Sequence, residues 1–320
     1  MKTIGVLTSG GDGPGMNAAI RGVVRTAVSH GMEVVGIRRG YAGLIEGDVV
    51  PLPTTWVSGI IRDGGTKLLT ARSEEFKTRA GQCKAVEVLK KHGVEGLVVI
   101  GGDGSFHGAH ALDHKWGIPA MGVPATIDND IAGTDVSIGF NTAVNTALNA
   151  IDHIRDTAVS HDRIFVVEVM GRDAGFLALE VGLAGGAEHI LIPEIPFSLK
   201  KIGMAIKQGI ERGKVSSIIV VAEGAAKGIA VAAEIEAITG AETRATVLGH
   251  VQRGGSPTAL DRILGVRLAA AAVDLLARGE HGLMVGMIAN EVVSSPLETA
   301  WRKKKSVNEA LYTLAETLAK

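Results

Sequence analysis

Short, nearly all-apolar segments, most of them followed by glycine-containing corners, constrain the fold of this chain more than any other feature. Five of them are rich in β-branched residues: Ile4–Leu7, Val34–Ile37, Leu97–Ile100, Ile164–Val169 and Ile218–Val221. A strand without polar alternation is buried on both faces, which is typical of a mainly parallel sheet covered by helices. The chain is therefore expected to fold around such sheets.

Helical patterns lie between these segments. Apolar residues recur at i, i+3, i+4 and i+7 in Asn17–His30, Ala85–Lys91, Thr142–Arg155 and Arg262–Leu276. Alternating strands and helices predict an α/β, doubly wound fold. A further strand at Ile190–Pro193 would join the last two apolar segments in a second sheet. Because the chain has no Pro- or Ser-rich linker, we expect two intimately joined, Rossmann-like domains.

Composition limits the classes of partner. The 320 residues carry a formal net charge of -1, so the overall charge indicates neither nucleic acid nor an anionic membrane as a partner. The N-terminus lacks an apolar segment long enough for a secretion signal, and no span could cross a bilayer. Cys83 is the only cysteine, which excludes an internal disulfide and a cysteine zinc site. We expect a cytoplasmic protein in which Cys83 is an ordinary thiol.

The first corner, SGGDGPG at Ser9–Gly15, is compatible with more than one ligand. Met16-Asn17 stands where a Walker A loop needs Lys and Ser/Thr, which excludes that loop. Gly13-x-Gly15-x-x-Ala18 matches a dinucleotide fingerprint in form. The second strand, however, ends in Arg38-Arg39 instead of the expected acid. An NADP-dependent oxidoreductase therefore remains an alternative on this motif.

The corner GGDGS at Gly101–Ser105 favours a nucleotide bound with a divalent cation. Glycines after a buried strand let backbone N–H groups approach phosphate oxygens, and a helix N-terminus favours the anion. Asp103 would repel phosphate unless a cation lay between them, which indicates Mg²⁺. The alternative is that Asp103 caps a helix beginning near Ser105.

A third polar segment, PATIDNDIAGTD at Pro124–Asp135, places Asp128 and Asp130 two residues apart. One carboxylate could accept a proton from an attacking hydroxyl while its neighbour orients the substrate or holds a metal. Asp and Asn also form turns for purely structural reasons, so both interpretations stay open on the motif alone.

Arginines beside the predicted strands favour a polyphosphorylated ligand, because guanidinium groups bind phosphate in a bidentate manner. They are Arg72, Arg163, Arg172, Arg244 and Arg253, and His250 lies in the same segment as the last of them. On the first helix, Arg21 and Arg25 are four residues apart and repel each other. They form either an anion site or a solvated helix face.

At this point the sequence resembles the bacterial ATP-dependent 6-phosphofructokinase family over residues 3 to about 290. The segments that carry the resemblance are SGGDGPGMNAAIRGVV, VVIGGDGS, TIDNDIAGTD, IGFNTA, HDRIFVVEVMGR and TRATVLGHVQRGGSP. It implies transfer of the ATP γ-phosphoryl group to the 1-hydroxyl of fructose 6-phosphate, the committed step of glycolysis. It also implies an active site in the cleft between the two domains.

The same resemblance implies roles for individual residues. Asp128 would be the base, Thr126 and Asp130 would place substrate and metal, and Arg72 and Arg172 would neutralise the transferred group. ATP would be bound by Gly11, Arg72, Ser73, Gly102, Asp103, Gly104 and Ser105, with Asp103 on Mg²⁺. Fructose 6-phosphate would be bound by Thr126, Asp128, Arg163, Met170, Gly171, Arg172, Glu223, Arg244, His250 and Arg253.

The resemblance further implies an allosteric homotetramer. Arg163 and Arg244 would reach a neighbouring subunit's active site. ADP or phosphoenolpyruvate would bind between subunits at Arg21, Arg25, Arg155, Gly185, Gly186, Glu188, Arg212 and Lys214. Thr54 and Gly59 replace an Arg and an Asp often found in that site, so an effector is still expected but the direction of regulation is open.

The implied domains are residues 1–140 plus about 258–302 for ATP, and 141–257 plus about 303–320 for fructose 6-phosphate. Gly104 leaves room for the α-phosphate of ATP, whereas pyrophosphate-dependent relatives resemble GGDD and PKTIDND in the corresponding loops. Ala125 departs from the glycine usual in ATP-dependent enzymes and is expected to crowd the site mildly. Pyrophosphate as donor and a catalytically silent nucleotide sensor on the same fold are the alternatives; the second is disfavoured because Asp103, Asp128 and Arg172 are all present.

Overall fold

The computed structural model describes residues 1–161 and 163–319. The chain divides into two compact units. The first comprises Met1–Ile127, Ile131–Thr142 and Arg253–Lys305, and the second comprises Asp128–Asp130, Ala143–Gln252 and Ser306–Lys320. Among the described residues, no helix is both long and apolar enough to cross a lipid bilayer.

The first unit is built on one large sheet with helices on both faces. Its strands are β1 (Thr3–Thr8), β2 (Glu33–Ile37), β3 (Val49–Pro51), β4 (Gly96–Gly101), β5 (Ala120–Thr126), β6 (Ile138–Gly139), β11 (Leu283–Ile288) and β12 (Glu291–Pro296). Its helices are α1 (Met16–Ser29), α2 (Gly40–Glu46), α3 (Arg79–Lys91), α4 (Asp103–Trp116), α9 (Ala259–Ala277) and α10 (Thr299–Arg302).

The strand order in this sheet is β12-β11-β5-β4-β1-β2-β3, with β6 paired to β5. The central pairs are parallel, whereas β12 and β3 pair antiparallel at the two edges. Ile4 and Val6 of β1 belong to one apolar cluster, and Leu7 belongs to the cluster on the other face. Both faces are therefore buried, which explains why the strand has no polar alternation.

The second unit contains a smaller, entirely parallel sheet in the order β10-β7-β9-β8. Its strands are β7 (Ile164–Val169), β8 (His189–Leu191), β9 (Ser217–Ala222) and β10 (Thr243–Val247). The helices are α5 (Phe140–His161, here from Ala143), α6 (Phe176–Ala184), α7 (Leu199–Glu211), α8 (Gly228–Thr239) and α11 (Glu309–Leu318). A short 3-10 helix, Gly249–Arg253, follows β10.

The α/β fold with mainly parallel sheets is confirmed, and each apolar segment singled out in the sequence is a strand. The structural role suggested for Asp103 is wrong. Helix α4 begins at Asp103 and has Gly102 as its N-cap, so the aspartate lies in the first turn instead of capping a helix near Ser105. A carboxylate in that turn interacts favourably with the helix dipole.

Candidate active site

The predicted ATP-binding residues lie where β1 and β4 end, in the first unit. These strands are neighbours in the sheet, so their carboxyl ends meet at one edge. The backbone N–H of Ser9 donates to the Ile100 carbonyl at 3.0 Å. A Cβ at Gly101 would lie 2.4 Å from the Ser9 carbonyl oxygen. The two glycine corners can therefore meet only because Gly101 has no side chain.

The N-terminus of α4 supplies backbone N–H groups beside these corners. A Cβ at Gly104 would have no atom within 4 Å, so this position is open. Thr126, at the end of β5, lies next to Gly102, whose Cβ position would be 4.0 Å from the Thr126 Cβ. Gly102, Asp103, Gly104, Ser105 and Thr126 are thus brought together, as predicted for a phosphate-binding corner.

The loop that carries Arg72 and Ser73 is tied to the first corner by threonine hydroxyls. Thr70 Oγ1 donates to the Gly10 carbonyl at 2.7 Å, and Thr8 Oγ1 donates to the Leu69 carbonyl at 2.9 Å. Leu69 has a φ of +59°, which bulky residues rarely adopt. Neither threonine attracts attention in the sequence, because a hydroxyl that bonds to a distant carbonyl leaves no local pattern.

Two further residues of the first unit complete this edge. Tyr41 donates from its buried hydroxyl to the Ser105 carbonyl at 2.6 Å, and burial raises the pKa of the phenol. Its ring stacks on Phe76, with centroids 4.1 Å apart. Arg253 donates from Nη1 to the Asp12 carbonyl at 3.1 Å, which places its guanidinium against Gly11.

Asp128 and Arg172 form an ion pair in the second unit. Arg172 Nε lies 3.2 Å from Asp128 Oδ2, and the Asp128 side chain is only 1% exposed whereas that of Arg172 is 50% exposed. A buried carboxylate beside a half-exposed guanidinium combines a proton acceptor with a positive charge that could face an anionic group. Asp130 belongs to the same short segment of this unit.

The turn that carries Arg172 is held by acceptors from other segments. Glu223 Oε1 accepts hydrogen bonds from the backbone N–H of Gly171 at 3.2 Å and of Arg172 at 2.9 Å. Gln252 Oε1 accepts one from the N–H of Met170 at 2.9 Å. The structure therefore brings Met170, Gly171, Arg172 and Glu223 together, as predicted. It adds Gln252, whose position between His250 and Arg253 was the only signal in the sequence.

Arg163 and Arg244 both form ion pairs with Glu242, elsewhere in the second unit. Arg163 Nε lies 2.8 Å from Glu242 Oε2, and Arg244 bonds to the other carboxylate oxygen. The hydrogen bond from Arg163, supported by Arg244, holds the pKa of Glu242 below its ordinary value. His250 is exposed on the 3-10 helix, and Asp162 of the HDRIF motif lies outside the described residues.

The predicted effector residues form two sets, one in each unit. Arg155 donates from Nη2 to the carbonyls of Gly185 and Gly186, and Lys214 lies 3.0 Å from Glu188. Glu188, Arg212 and Lys214 line a cavity of about 480 Å³.

In the first unit, Arg21 and Arg25 project from α1, and Arg25 donates from Nη2 to the Thr54 carbonyl at 3.3 Å. Gly59, the second position that departs from the effector site implied by the resemblance, has a φ of +79°.

A metal at this site would depend on the ligand for much of its coordination. No three His, Cys, Asp or Glu side chains cluster as a metal site within residues 1–161 and 163–319. Mg²⁺ in phosphoryl-transfer sites typically uses one or two carboxylates, with phosphates and water supplying the rest. Asp103, at the N-terminus of α4, fits that donor set.

Comparison with known proteins identifies the family of the chain. The sequence pattern described as "PFK: Phosphofructokinase" matches residues 3–276. The chain belongs to the phosphofructokinase family. A Thermus thermophilus relative named "ATP-dependent 6-phosphofructokinase 1" is 59% identical over 321 residues, covering 100% of both chains.

Solved structures of the family have the same fold. The Saccharomyces cerevisiae phosphofructokinase is 36% identical with a TM-score of 0.90, and the match covers 100% of this chain and 48% of the yeast chain. A pyrophosphate-dependent phosphofructokinase from Marinobacter aquaeolei is 25% identical with a TM-score of 0.86, covering 97% of this chain and 86% of that one.

Proposed function

We propose that this chain transfers the γ-phosphoryl group of ATP to the 1-hydroxyl of fructose 6-phosphate, giving fructose 1,6-bisphosphate and ADP in glycolysis. The observation that carries the proposal is the Asp128–Arg172 ion pair in a phosphofructokinase chain. ATP would bind at the glycine corners of the first unit. The enzyme acts in the cytoplasm.

In this mechanism Asp128 accepts the proton of the 1-hydroxyl as the oxygen attacks the γ-phosphorus. Arg172 and Arg72 stabilise negative charge on the transferred group, because phosphoryl transfer depends mainly on positioning and charge stabilisation. Thr126 and Asp130 place the substrate. Asp103 would hold Mg²⁺, which neutralises phosphate charge when bound.

The remaining predicted residues bind the two substrates. Backbone N–H groups of Gly11 and of Gly102–Ser105 donate hydrogen bonds to the ATP phosphates. Ser73 and Arg72 bind the same phosphates. The sugar phosphate is held by Arg163, Met170, Gly171, Glu223, Arg244, His250 and Arg253. We assign Arg163 and Arg244 to a neighbouring subunit's site in a homotetramer, as the resemblance to the family implies; within this chain both arginines bond to Glu242.

ATP is favoured over pyrophosphate because position 104 is open. Ala125 is buried in β5, so its methyl group is accommodated within the sheet core. At Gly104, a phosphoryl donor larger than pyrophosphate would meet no side chain.

Enzyme assays test the activity directly. ADP should form only when ATP, Mg²⁺ and fructose 6-phosphate are all present, and pyrophosphate should not replace ATP.

Asp128→Ser should lower kcat by about 10²- to 10⁴-fold while ATP still binds, because a general base contributes about that factor. Asp152→Ser, an exposed aspartate on α5, is the control. An unchanged rate in Asp128→Ser would contradict its role as base.

We further propose that ADP or phosphoenolpyruvate regulates the enzyme through Arg21, Arg25, Arg155, Gly185, Gly186, Glu188, Arg212 and Lys214. The cavity beside Arg212 and Lys214 supports this proposal. Saturation curves for fructose 6-phosphate should shift when either effector is added, and Lys214→Ala should reduce the shift. Curves that neither compound changes would contradict the proposal.

A further inference from the structure

The Arg172 turn has a backbone conformation that requires support. Arg172 has a φ of +51°, in the left-handed region that residues with side chains rarely adopt. Gly171, before it, has a φ of +135°, and a Cβ there would lie 2.7 Å from the Ala174 carbonyl oxygen. Gly224 lets a second segment approach, since its Cβ would lie 2.1 Å from the Arg172 carbonyl oxygen. The direction of the Arg172 side chain thus depends on an uncommon local geometry.

Two side chains bind the three consecutive N–H groups of this turn. Glu223 accepts hydrogen bonds from the N–H groups of Gly171 and Arg172, and Gln252 accepts one from the N–H of Met170. Glu223 already has a place in the proposed substrate site. Gln252 is completely buried, so it acts on the substrate only through what it holds.

The Gln252 amide is poorly explained as a stabilising group. Its Nε2 is buried and makes no hydrogen bond to the part of the chain that the structure describes. A buried N–H without a partner costs stability, which offsets the hydrogen bond that Oε1 receives. Replacing the amide with an apolar side chain of similar size would remove the two unpaired N–H groups of Nε2 and leave one N–H, that of Met170, without its acceptor. The net effect on unfolding should be small.

We propose that Gln252 is a positioning residue that anchors the start of the Arg172 turn, so that the guanidinium stays against Asp128. Oε1 fixes the N–H of Met170, the first residue after β7, and Glu223 fixes the next two. Without the first anchor, the left-handed conformation of Arg172 loses one of its supports, and the guanidinium samples other directions. This inference rests on the proposed role of Arg172 in phosphoryl transfer.

The test compares Gln252→Met with the unaltered enzyme. We expect kcat to fall by about tenfold to a hundredfold, because small displacements of a catalytic group have effects of that size. The thermal unfolding midpoint should change little. Hydrogen exchange at the Met170–Arg172 amides should become faster. Gln252→Glu keeps an acceptor oxygen and should recover much of the slow exchange and of kcat.

Thr239→Val is the matched control in the same unit, because it removes a hydroxyl that bonds to the Ile235 carbonyl and to the Ala241 N–H. It should leave kcat and the exchange of the turn unchanged. Unchanged exchange in Gln252→Met, or faster exchange with an unchanged kcat, would overturn the inference. Loss of the proposed function is a separate outcome: the unaltered chain would form no ADP, while exchange at Met170 would still report whether Gln252 anchors the turn.

Discussion

At the scale of single residues, we expect Gly11 to be required for ligand binding but not for folding. A Cβ at this position would lie 2.2 Å from Nη1 of Arg253, the mobile end of a long side chain. Gly11→Ala should therefore fold with stability within about 0.5 kcal/mol of the original, because the guanidinium can move away. It should raise KM for fructose 6-phosphate and for ATP, since Arg253 and the phosphate-binding N–H are both displaced.

The neighbouring Gly13 provides the control for this experiment. A Cβ there would meet its nearest atom, Ile127 Cγ2, at 3.9 Å, an ordinary contact distance. Gly13→Ala should leave both KM values unchanged. Equal effects of the two substitutions on initial rates would show that the loop, and not the contact with Arg253, is responsible.

Asp261 shows the opposite case, a carboxylate whose role is stability. It is fully buried and accepts hydrogen bonds from the N–H groups of Gly139 and Thr142. Burial raises its pKa, and these donors oppose that rise. Asp261→Ala should lower the free energy of unfolding by about 3 kcal/mol, because buried N–H groups lose their acceptors. Denaturant titration measures this loss, and a change below about 1 kcal/mol would contradict the interpretation.

At the scale of elements, the loop before Arg72 depends on β1. Thr70 Oγ1 bonds to the Gly10 carbonyl, so the hydroxyl links the Arg72 loop to the corner that contains Gly11. Thr70→Val keeps the shape of the side chain but removes this link. We expect kcat/KM for ATP to fall by about tenfold, the equivalent of roughly 1.4 kcal/mol, and Thr70→Ser to restore it.

A second threonine tests whether this effect is local. Thr134 Oγ1 donates to the Val136 carbonyl and accepts from the Met287 N–H, at another edge of the same unit. Thr134→Val should lower thermal stability without a specific change in KM for ATP. If both variants affected ATP saturation alike, the link through Thr70 would not explain the result.

At the scale of the whole molecule, the sequence predicts those features that repeat or that depend on composition. Buried parallel strands such as Ile164–Val169 have an apolar pattern that is visible locally, and so do glycine corners. The edge strands β3 and β12 do not, because they are only partly buried. The hydrogen bond from the Met170 N–H to Gln252 Oε1 joins residues 82 positions apart, and no local sequence pattern encodes such a contact. Sequence motifs therefore predict candidate site residues but not the contacts that orient them.

The pH dependence of unfolding provides a test at this scale, through His189 on β8. Burial lowers the pKa of its imidazole, Glu188 opposes this effect, and Lys214 adds to it. Arg212 and Glu316 line the cavity beside it. The folded-state pKa of His189 lies below the unfolded value of 6.5. The neutral imidazole therefore makes its full contribution to the free energy of unfolding above pH 6.5. This contribution is lost as pH falls through the folded-state pKa.

His189→Gln, which cannot titrate, isolates this contribution. The difference in unfolding free energy between the original chain and His189→Gln should decrease as pH is lowered from 7.5 to 5. For one proton its slope cannot exceed about 1.4 kcal/mol per pH unit. His114→Gln, at an exposed position on α4, is the control for removal of an imidazole. A pH-independent difference for His189→Gln would show that burial of β8 does not keep this imidazole neutral, and that acid acts elsewhere in the fold.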